Sequence, residues 1–381
     1  MNRSVQWFVF LVSELLAMGL FFGFMMTEST VKLTVLVVLL ALGLYGYRRF
    51  ERLALNLSQA LTRYKLSNFV LLVLFVFSLP FFFSKSPYLI HICIMSCLYI
   101  IMAIGLNFCL GSANMSHFAA SAFFGMGAYS SALLSIHLHT GFWVNIFVAS
   151  ALAGIFGALL AIPIIKTKTY YLALISMAFG LIFFQFITTV KFTGGPAGLS
   201  GVPRPSLFGY DFMKGPTVLG MALPFQTNYF YVIIVFTILI FILARRVMKS
   251  WMGLTLNYIR EDEIATSCQG ITVSFPKIFA FALNAILAGF AGTFYAHYIT
   301  YVGPPDADIM ISVVLVIIVI LGGMDNLSGI AFSAALLTIL PEKFRAFQDY
   351  RLLIYGIIVL LMLLFRPSGL FPKKLRVYKK G

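Results

Sequence analysis

Polar residues gather in one stretch that lies deep inside an apolar part of the chain. No Lys, Arg, Asp or Glu occurs between Lys85 and Lys166, yet residues 106–129 carry two Asn, three Ser, one His and three Gly. Unsatisfied polar groups in a bilayer cost on the order of several kcal/mol each, so they face a protein interior or a water-filled path. The stretch therefore predicts a substrate pathway, and its candidate lining residues are Asn107, Asn114, Ser116, His117 and Ser121.

A partial copy of this stretch follows 212 positions later. Six of twelve positions are identical between residues 111–122 and residues 323–334. Transporters are often built from internal repeats, with the substrate site at the repeat interface. A repeat would add Asn326 and Ser328 to the pathway. Chance recurrence of small residues in membrane helices is the alternative, and the sequence leaves both open.

A second candidate site lies in the polar segment 245–277. Within it, residues 253–271 have the pattern of a short helix in which three acids are followed by small residues, and Gly270 stands where a C-terminal cap is expected. This helix is too short and too polar to cross a membrane. Acids contribute little to membrane topology but can meet a basic partner, so the segment predicts a protein contact surface. A solvated loop helix is the other interpretation.

The sequence does not indicate enzyme chemistry. It has no Gly-x4-Gly-Lys-Ser/Thr motif to hold ATP phosphates, so any ATP must be bound by partner subunits. No catalytic dyad or metal-ligand set is recognisable, and three of the four Cys lie in apolar runs, as structural thiols do. We therefore predict a transport subunit with no catalytic, cofactor-binding or metal-binding residues of its own.

The composition indicates the class of protein. Of the 381 residues, 61% are hydrophobic and 10% are charged, whereas about a quarter of the residues in soluble domains are charged. A spanning helix needs about 20 mostly apolar residues, which predicts an all-α polytopic membrane bundle of about 10–11 membrane segments, including broken or half-spanning helices. The predicted segments are 7–26, 31–47, 67–84, 88–110, 115–136, 142–165, 170–190, 228–244, 278–300, 311–322, 329–340 and 351–365.

The distribution of positive charge predicts the orientation. With the N-terminus in the cytoplasm, 19 of the 27 Lys and Arg residues fall on the inner side and 8 on the outer side. Cytoplasmic loops carry the excess of Lys and Arg, so both termini are expected in the cytoplasm. The Gly- and Pro-rich segment 191–227 is then an outer loop, and 245–277 is a cytoplasmic loop.

Several stretches together resemble one family of transport proteins. Arg260-Glu261-Asp262-Glu263-Ile264-Ala265, followed by Gly270-Ile271, resembles the coupling loop of ABC-importer permeases. The resemblance covers about residues 88–376 and is closest to the permeases of branched-chain amino acid ABC transporters, of the LivM type in the LivH/LivM family. The other stretches that agree, in the family's order, are 106–129, 166–180, Thr193–Pro205, 321–329 and 351–370.

The resemblance implies a function and a set of partners. The chain is expected to be the permease subunit of an ABC importer that moves branched-chain amino acids, or a related small amino acid or amide, by alternating access. The bacterial inner membrane is the expected location. Expected partners are two ATPase subunits, a second and different permease subunit, a periplasmic substrate-binding protein and membrane lipid, with no nucleic acid.

The resemblance also implies residue roles and a division of the chain. ATPase coupling is assigned to Arg260, Glu261, Asp262, Glu263, Ala265 and Gly270. The outer-loop residues that would receive the binding protein or gate the pathway are Gly194, Gly195, Pro196, Gly198 and Ser200, although a packed structural loop would explain them equally. The expected parts are 1–66 with the N-terminal spans and a basic cytoplasmic amphipathic segment, 67–376 as the permease core, and 377–381 as the end of a basic tail.

An ion-gradient-driven secondary transporter is the alternative function. It needs intramembrane ion ligands, for which Asp325, Asn326 and Asn107 are the candidates. A membrane-embedded enzyme would need His and acidic residues to converge, and the sequence places no acid near His91, His117 or His297. The substrate is left open, since the residues around His117 depart from the family's usual pattern.

Overall fold

The computed structural model describes residues 18–19, 21–26, 65–165, 169–207, 209–218, 221–343, 353, 356–357, 360, 364 and 369–371. The predicted span 31–47, most of the spans 7–26 and 351–365, the basic segment that follows residue 47 and the tail beyond residue 371 lie outside the described residues. Contacts divide the chain into two compact units, 1–90 with 218–224 and 91–217 with 225–381. In the first unit, the Phe22 ring stacks on the Phe83 ring with 5.8 Å between centroids.

The described backbone is mainly helical, as predicted for an all-α membrane protein. The helices are α1 Lys65–Phe82, α2 Pro87–Leu110, α3 Ala120–Leu138, α4 Phe142–Ile165, α5 Thr169–Thr189, α6 Gln226–Lys249, α7 Trp251–Glu261, α8 Glu263–Cys268, α9 Ser274–Ile299, α10 Ile309–Gly322 and α11 Leu327–Lys343. Short 3-10 turns occupy Lys191–Thr193, Gly195–Ala197 and Pro304–Ala307. The strands have two residues each: β1 Leu199–Ser200, β2 Ser206–Leu207, β3 Tyr210–Asp211, β4 Thr217–Val218, β5 Met221–Ala222 and β6 Tyr301–Val302.

Six helical segments in the described part of the chain are long and apolar enough to cross a membrane. This confirms a multi-pass membrane protein. The six are Pro87–Leu110, Phe142–Pro163, Tyr171–Thr189, Gln226–Lys249, Ser274–Ile299 and Pro304–Gly322.

Helix α9 is the central helix of the second unit, and its contacts fix the directions of its neighbours. The His91 Nδ1 atom lies 2.9 Å from the Tyr298 hydroxyl, and Gly105 lies against Asn284. From His91 to Gly105 the chain advances by 14 residues, whereas their partners go back by 14 residues, from Tyr298 to Asn284. Helix α2 therefore runs antiparallel to α9. Helix α3 runs parallel to α9, because its contacts advance from Gly127 with Gly289 to Ser131 with His297. These relative directions agree with the alternation of spans expected from the sequence.

Glycines allow the close approach of α3 and α9. A Cβ atom on Gly127 would overlap the backbone of Gly289, and one on Gly292 would overlap the Phe124 carbonyl oxygen. Small residues at such crossings let membrane helices pack backbone to backbone, where van der Waals contact replaces the missing hydrophobic driving force.

Helices α10 and α11 form a hairpin. Helix α10 has 14 residues and a length of about 21 Å, less than the roughly 30 Å of a bilayer core. Together with the 3-10 turn before it, however, it forms the segment Pro304–Gly322, whose 19 residues are long enough to cross, so the piece predicted as half-spanning at 311–322 is longer than expected. Helix α11 has 17 residues and is longer than predicted.

The expected span 115–136 is wrong at its start, because the backbone before Ala120 is not helical.

Candidate functional site

The polar stretch forms a break between α2 and α3, defined here as residues 111–119. The Asn107 carbonyl accepts the N–H groups of Gly111 at 2.8 Å and Ser112 at 2.9 Å, which closes the end of α2. Asn114 then adopts a left-handed backbone with φ of 54°, a conformation that Asn tolerates better than most residues. Residues 114–119 have no regular secondary structure, so the chain reaches α3 in an irregular segment.

A buried polar cluster surrounds the start of α3. The Ser312 hydroxyl accepts the Ser121 N–H at 2.8 Å, and the Ser176 hydroxyl accepts the Phe118 N–H at 2.9 Å. The first N–H groups of a helix have no partner within the helix, and the Ser312 hydroxyl supplies one for Ser121. We call the following residues, all fully buried, the buried polar cluster: His117, Ser121, Ser176, Asn284 and Ser312.

His117 and Asn284 form the least satisfied part of this cluster. The Ala119 N–H donates to His117 Nδ1 at 3.3 Å, so a neutral ring carries its proton on Nε2. Nε2 lies 3.2 Å from the Asn284 amide nitrogen, and Asn284 Oδ1 has no partner among the described residues. A half-turn of the amide lets Oδ1 accept from Nε2 and frees the amide N–H groups. An amide with spare hydrogen-bonding capacity in a dry interior is suited to receive a polar solute.

The wall beside the cluster is aromatic. The Phe281 ring lies 4.4 Å from the His117 ring between centroids. Phe123 contacts Phe281 at 6.1 Å and Phe179 at 5.9 Å between centroids. Polar groups and an apolar wall therefore lie next to each other, as a solute with a charged head and an aliphatic side chain would require.

The structure separates the predicted pathway residues into two groups. Asn107, His117 and Ser121 are fully buried, and His117 and Ser121 belong to the cluster. Asn114 and Ser328 are exposed, and Ser116 is half-buried. The described contacts place Asn326 elsewhere: its amide nitrogen donates to the Phe371 carbonyl at 2.8 Å.

The predicted coupling residues lie on α7 and α8. The expected single helix is two helices, with Asp262 between them as the N-cap of α8, where its carboxylate accepts the Ile264 N–H at 2.8 Å. Glu263 forms an ion pair of 2.6 Å with Lys277 on α9. The predicted cap role of Gly270 is confirmed, because it follows the C-cap of α8 with φ of 77°.

Most of this loop is exposed, with one exception. Glu261, Asp262, Glu263, Ala265 and Gly270 all face outward. Arg260 instead points inward, and its Nη1 atom donates to the Gly111 carbonyl at 2.8 Å. We call residues 261–270 the loop tip.

Comparison with known proteins identifies the family. The model of the branched-chain amino acid transport system / permease component family matches residues 88–364, which is most of the chain. The chain belongs to this permease family. The comparison with solved structures gives no significant match.

Three curated relatives agree with this assignment. The chain is 31% identical over 321 residues to the high-affinity branched-chain amino acid transport system permease protein LivM of Salmonella typhimurium, and equally to that of Escherichia coli K12. The alignment covers 81% of this chain and 75% of each relative. A probable LivM permease of Methanocaldococcus jannaschii is 22% identical over 245 residues, covering 60% of this chain and 68% of that protein.

The Gly- and Pro-rich segment 191–227, predicted to be an outer loop, contacts the helix bundle. Pro203 accepts a hydrogen bond from His297 Nδ1 at 2.7 Å, while His297 Nε2 lies 2.9 Å from the Ser131 hydroxyl. Strand β1 pairs antiparallel with β6, as Leu199 aligns with Val302. The predicted residues Gly194, Gly195 and Gly198 all have positive φ, whereas Pro196 and Ser200 are exposed.

Sequence reasoning missed three members of the cluster. Ser176, Asn284 and Ser312 lie in mainly apolar helices, far in sequence from the polar stretch. The rule that intramembrane polar residues face the protein interior marks each of them as a candidate. Their convergence on residues 117–121 required the packing of α5, α9 and α10 around α3.

Proposed function

We propose that this chain is the transmembrane permease subunit of an ABC importer for branched-chain amino acids. Membership in the permease family supports transport, and the names of the LivM relatives support the substrate class. The observation that carries the proposal is the buried polar cluster beside its aromatic wall. It offers uncharged hydrogen-bonding groups and an apolar surface at the start of a helix that begins inside the bundle.

The substrate would use each part of this site. A free amino acid carries a carboxylate, which is favoured at the positive N-terminal end of a helix, here α3. In this conformation the N–H groups of Phe118 and Ser121 donate hydrogen bonds to serine hydroxyls. A substrate carboxylate would either take the place of these hydroxyls as the acceptor or accept hydrogen bonds from them. The aliphatic side chain would contact Phe281, since apolar contact discriminates by size and shape.

Burial of the whole cluster supports alternating access. All five of its side chains are fully buried, so substrate reaches them only if helices separate first on one side and then on the other. A pathway open to both sides at once is inconsistent with this packing. Such a movement needs an energy source, and we assign it to two ATPase subunits that bind and hydrolyse ATP.

The loop tip supplies the contact with the ATPase. Ile264 is 76% exposed, and the acidic residues Glu261, Asp262 and Glu263 flank it. An exposed apolar side chain ringed by charges is the usual arrangement of a small docking surface. The tip is also anchored, because the Glu263–Lys277 ion pair joins it to α9.

The remaining parts of the proposal follow from orientation. The loop tip lies in the cytoplasm of a bacterial cell if the excess of Lys and Arg is on the inner side. The outer loop then faces the periplasm, where it would receive a substrate-binding protein. A second, different permease subunit would complete the membrane part of the importer.

Two assays test the proposal. Uptake of radiolabelled leucine is measured in cells that lack their own leucine uptake and express the whole importer, with excess unlabelled isoleucine, valine or urea as competitors. We expect isoleucine and valine to compete and urea not to compete. In parallel, the chain is purified from its native membrane as the wild type and with Glu261, Asp262 and Glu263 all changed to Lys.

The purification separates the possible functions. Recovery of a nucleotide-binding ATPase with the wild type but not with the triple variant supports an ABC permease that docks through the loop tip. Recovery with both proteins keeps the class and rejects the acidic contact. Recovery with neither would favour the ion-gradient-driven transporter.

A further inference from the structure

A buried aspartate and a partly exposed arginine form a charged pair between the coupling loop and the helix ends. Asp325 occupies the turn 323–326 between α10 and α11, where its backbone φ is 64° and its side chain is 3% exposed. One carboxylate oxygen accepts the Ser112 hydroxyl, and the Asp325 N–H donates to Asn107 Oδ1 at 2.9 Å. The turn is therefore bound to the inner end of α2 by both side chain and backbone.

Arg260 reaches this turn from the coupling loop. It lies in the last turn of α7, and its Nη1 atom is 3.7 Å from Asp325 Oδ2 and 2.8 Å from the Gly111 carbonyl oxygen. That carbonyl belongs to the C-terminal end of α2, where helix carbonyls lack partners within the helix and the dipole favours a cation. One guanidinium thus contacts the ends of two helices at once.

We propose that Arg260 is the positioning residue through which the coupling loop holds the inner ends of α2 and α10 together. The inference rests on the proposed function, since it assigns the connection between the ATPase contact and the pathway. Withdrawal of Arg260 by movement of the loop would release both helix ends and open the inner side of the bundle.

The physical basis is the cost of burying a carboxylate without its cation. Removing one partner from a buried ion pair is strongly unfavourable, because the other charge stays desolvated. The loop and the turn must therefore move together, or the turn must rearrange when Arg260 leaves. Either response transmits a displacement of the loop, and neither requires that substrate contact Arg260.

The loop is stiff enough to transmit such a displacement. Arg260 directly precedes Glu261, the first residue of the loop tip, so a force on the tip acts next to the guanidinium. Asp262 fixes the junction of α7 and α8 through its bonds to the N–H groups of Ile264 and Ala265, at 2.8 and 3.0 Å. The pairing with Arg260 also gives Asp325 a structural role. Its presence in the membrane part is therefore explained without the ion ligand that a secondary transporter would require.

The test uses the whole importer with the variants R260Q, D325N and the double variant. Arg246, exposed near the end of α6, provides the matched control R246Q. Three quantities are measured: ATPase retained on purification, ATP hydrolysis, and leucine uptake. We expect each single variant to retain the ATPase but to lower uptake per ATP hydrolysed about tenfold or more, within the usual range of coupling between sites. The double variant should be no worse than either single one, and R246Q should match the wild type.

Three results would overturn the inference. The first is a wild-type ratio of uptake to hydrolysis in R260Q. The second is a double variant whose loss equals the product of the two single losses, because independent residues behave in that way. The third is a wild type that retains no ATPase, which refutes the proposed function and the inference with it, whereas the first two leave the function intact.

A second measurement leaves the ion pair in place. In a background without other cysteines, E261C and M324C flank Arg260 and Asp325 and can be joined by a short bis-maleimide. We expect the cross-linking yield to differ between the nucleotide-free importer and the importer trapped with ATP and vanadate. An equal yield in the two states would contradict a loop that moves relative to the turn.

Discussion

Asn284→Leu separates the role of the buried polar cluster in transport from its role in folding. The substitution keeps the shape of the side chain but removes its amide. In the folded protein it breaks the contact with His117 at 3.2 Å, which costs about 1 kcal/mol. It also removes the half of the amide that the contact with His117 leaves without a partner among the described residues, and whose burial costs about 1–3 kcal/mol. The two effects oppose each other, so we expect thermal stability within about 2 kcal/mol of the wild type.

Transport should respond very differently. If the amide binds the charged end of the substrate, the variant loses a hydrogen bond to a charged group, worth about 1.5–3 kcal/mol. Since 1.4 kcal/mol is a factor of ten, the leucine concentration for half-maximal uptake should rise about ten- to a hundredfold. Gln185→Leu is the matched control, because it also replaces an amide with an apolar side chain, at an exposed position on α5. Normal uptake in a well-expressed Asn284→Leu protein would refute the assignment of the cluster to the pathway.

Three further predictions test the packing, the orientation and the outer loop. Gly289→Val should lower the melting temperature of the purified protein, because the added atoms collide with Ala153 on α4 and overpacking costs about 1–3 kcal/mol. Gly141→Val, where an added Cβ meets open space, is its control, and equal melting temperatures would contradict the packing. A membrane-impermeant maleimide should label the exposed Cys268 in inside-out vesicles but not in intact cells, and labelling in intact cells would reverse the topology. His297→Ala should speed proteolysis of the outer loop, since it removes the bond to the Pro203 carbonyl, and an unchanged cleavage rate would show that other contacts hold the loop.

The sequence predicted the membrane class and the break, because both depend on local composition. An apolar run with no charge must cross a bilayer, and a Gly- and Asn-containing polar stretch inside it must interrupt a helix. The same reasoning located the hairpin of α10 and α11 from the shortness of the apolar run. It failed for the start of α3, since the residues after Asn114 are individually compatible with a helix, whereas in the structure residues 114–119 are irregular and Phe118 donates to the Ser176 hydroxyl.

The site itself was predictable only in part. His117 and Ser121 of the buried polar cluster were named from their setting, but Asn107, Asn114 and Asn326 look equally polar in sequence and lie outside the cluster. Whether such an Asn reaches the cluster depends on where along the bundle the helix before it ends, and this cannot be read from the sequence. Arg260 was assigned to ATPase contact with its neighbours, and only the structure shows that its side chain points the opposite way.

The two similar stretches of sequence lie at corresponding helix ends, and Arg260 contacts a residue beside each of them. Helix α2 ends at Leu110 and α10 ends at Gly322, and the separation of 212 residues equals the offset of the sequence repeat. Beyond these ends the copies differ, because nine residues separate α2 from α3 whereas four separate α10 from α11. The first copy uses its extra length to place His117 in the buried polar cluster. The second copy has Asp325 where the first has Ala113, which supplies the carboxylate that faces Arg260. Under the proposed function, these corresponding helix ends would have different tasks, one in binding substrate and the other in contacting the coupling loop.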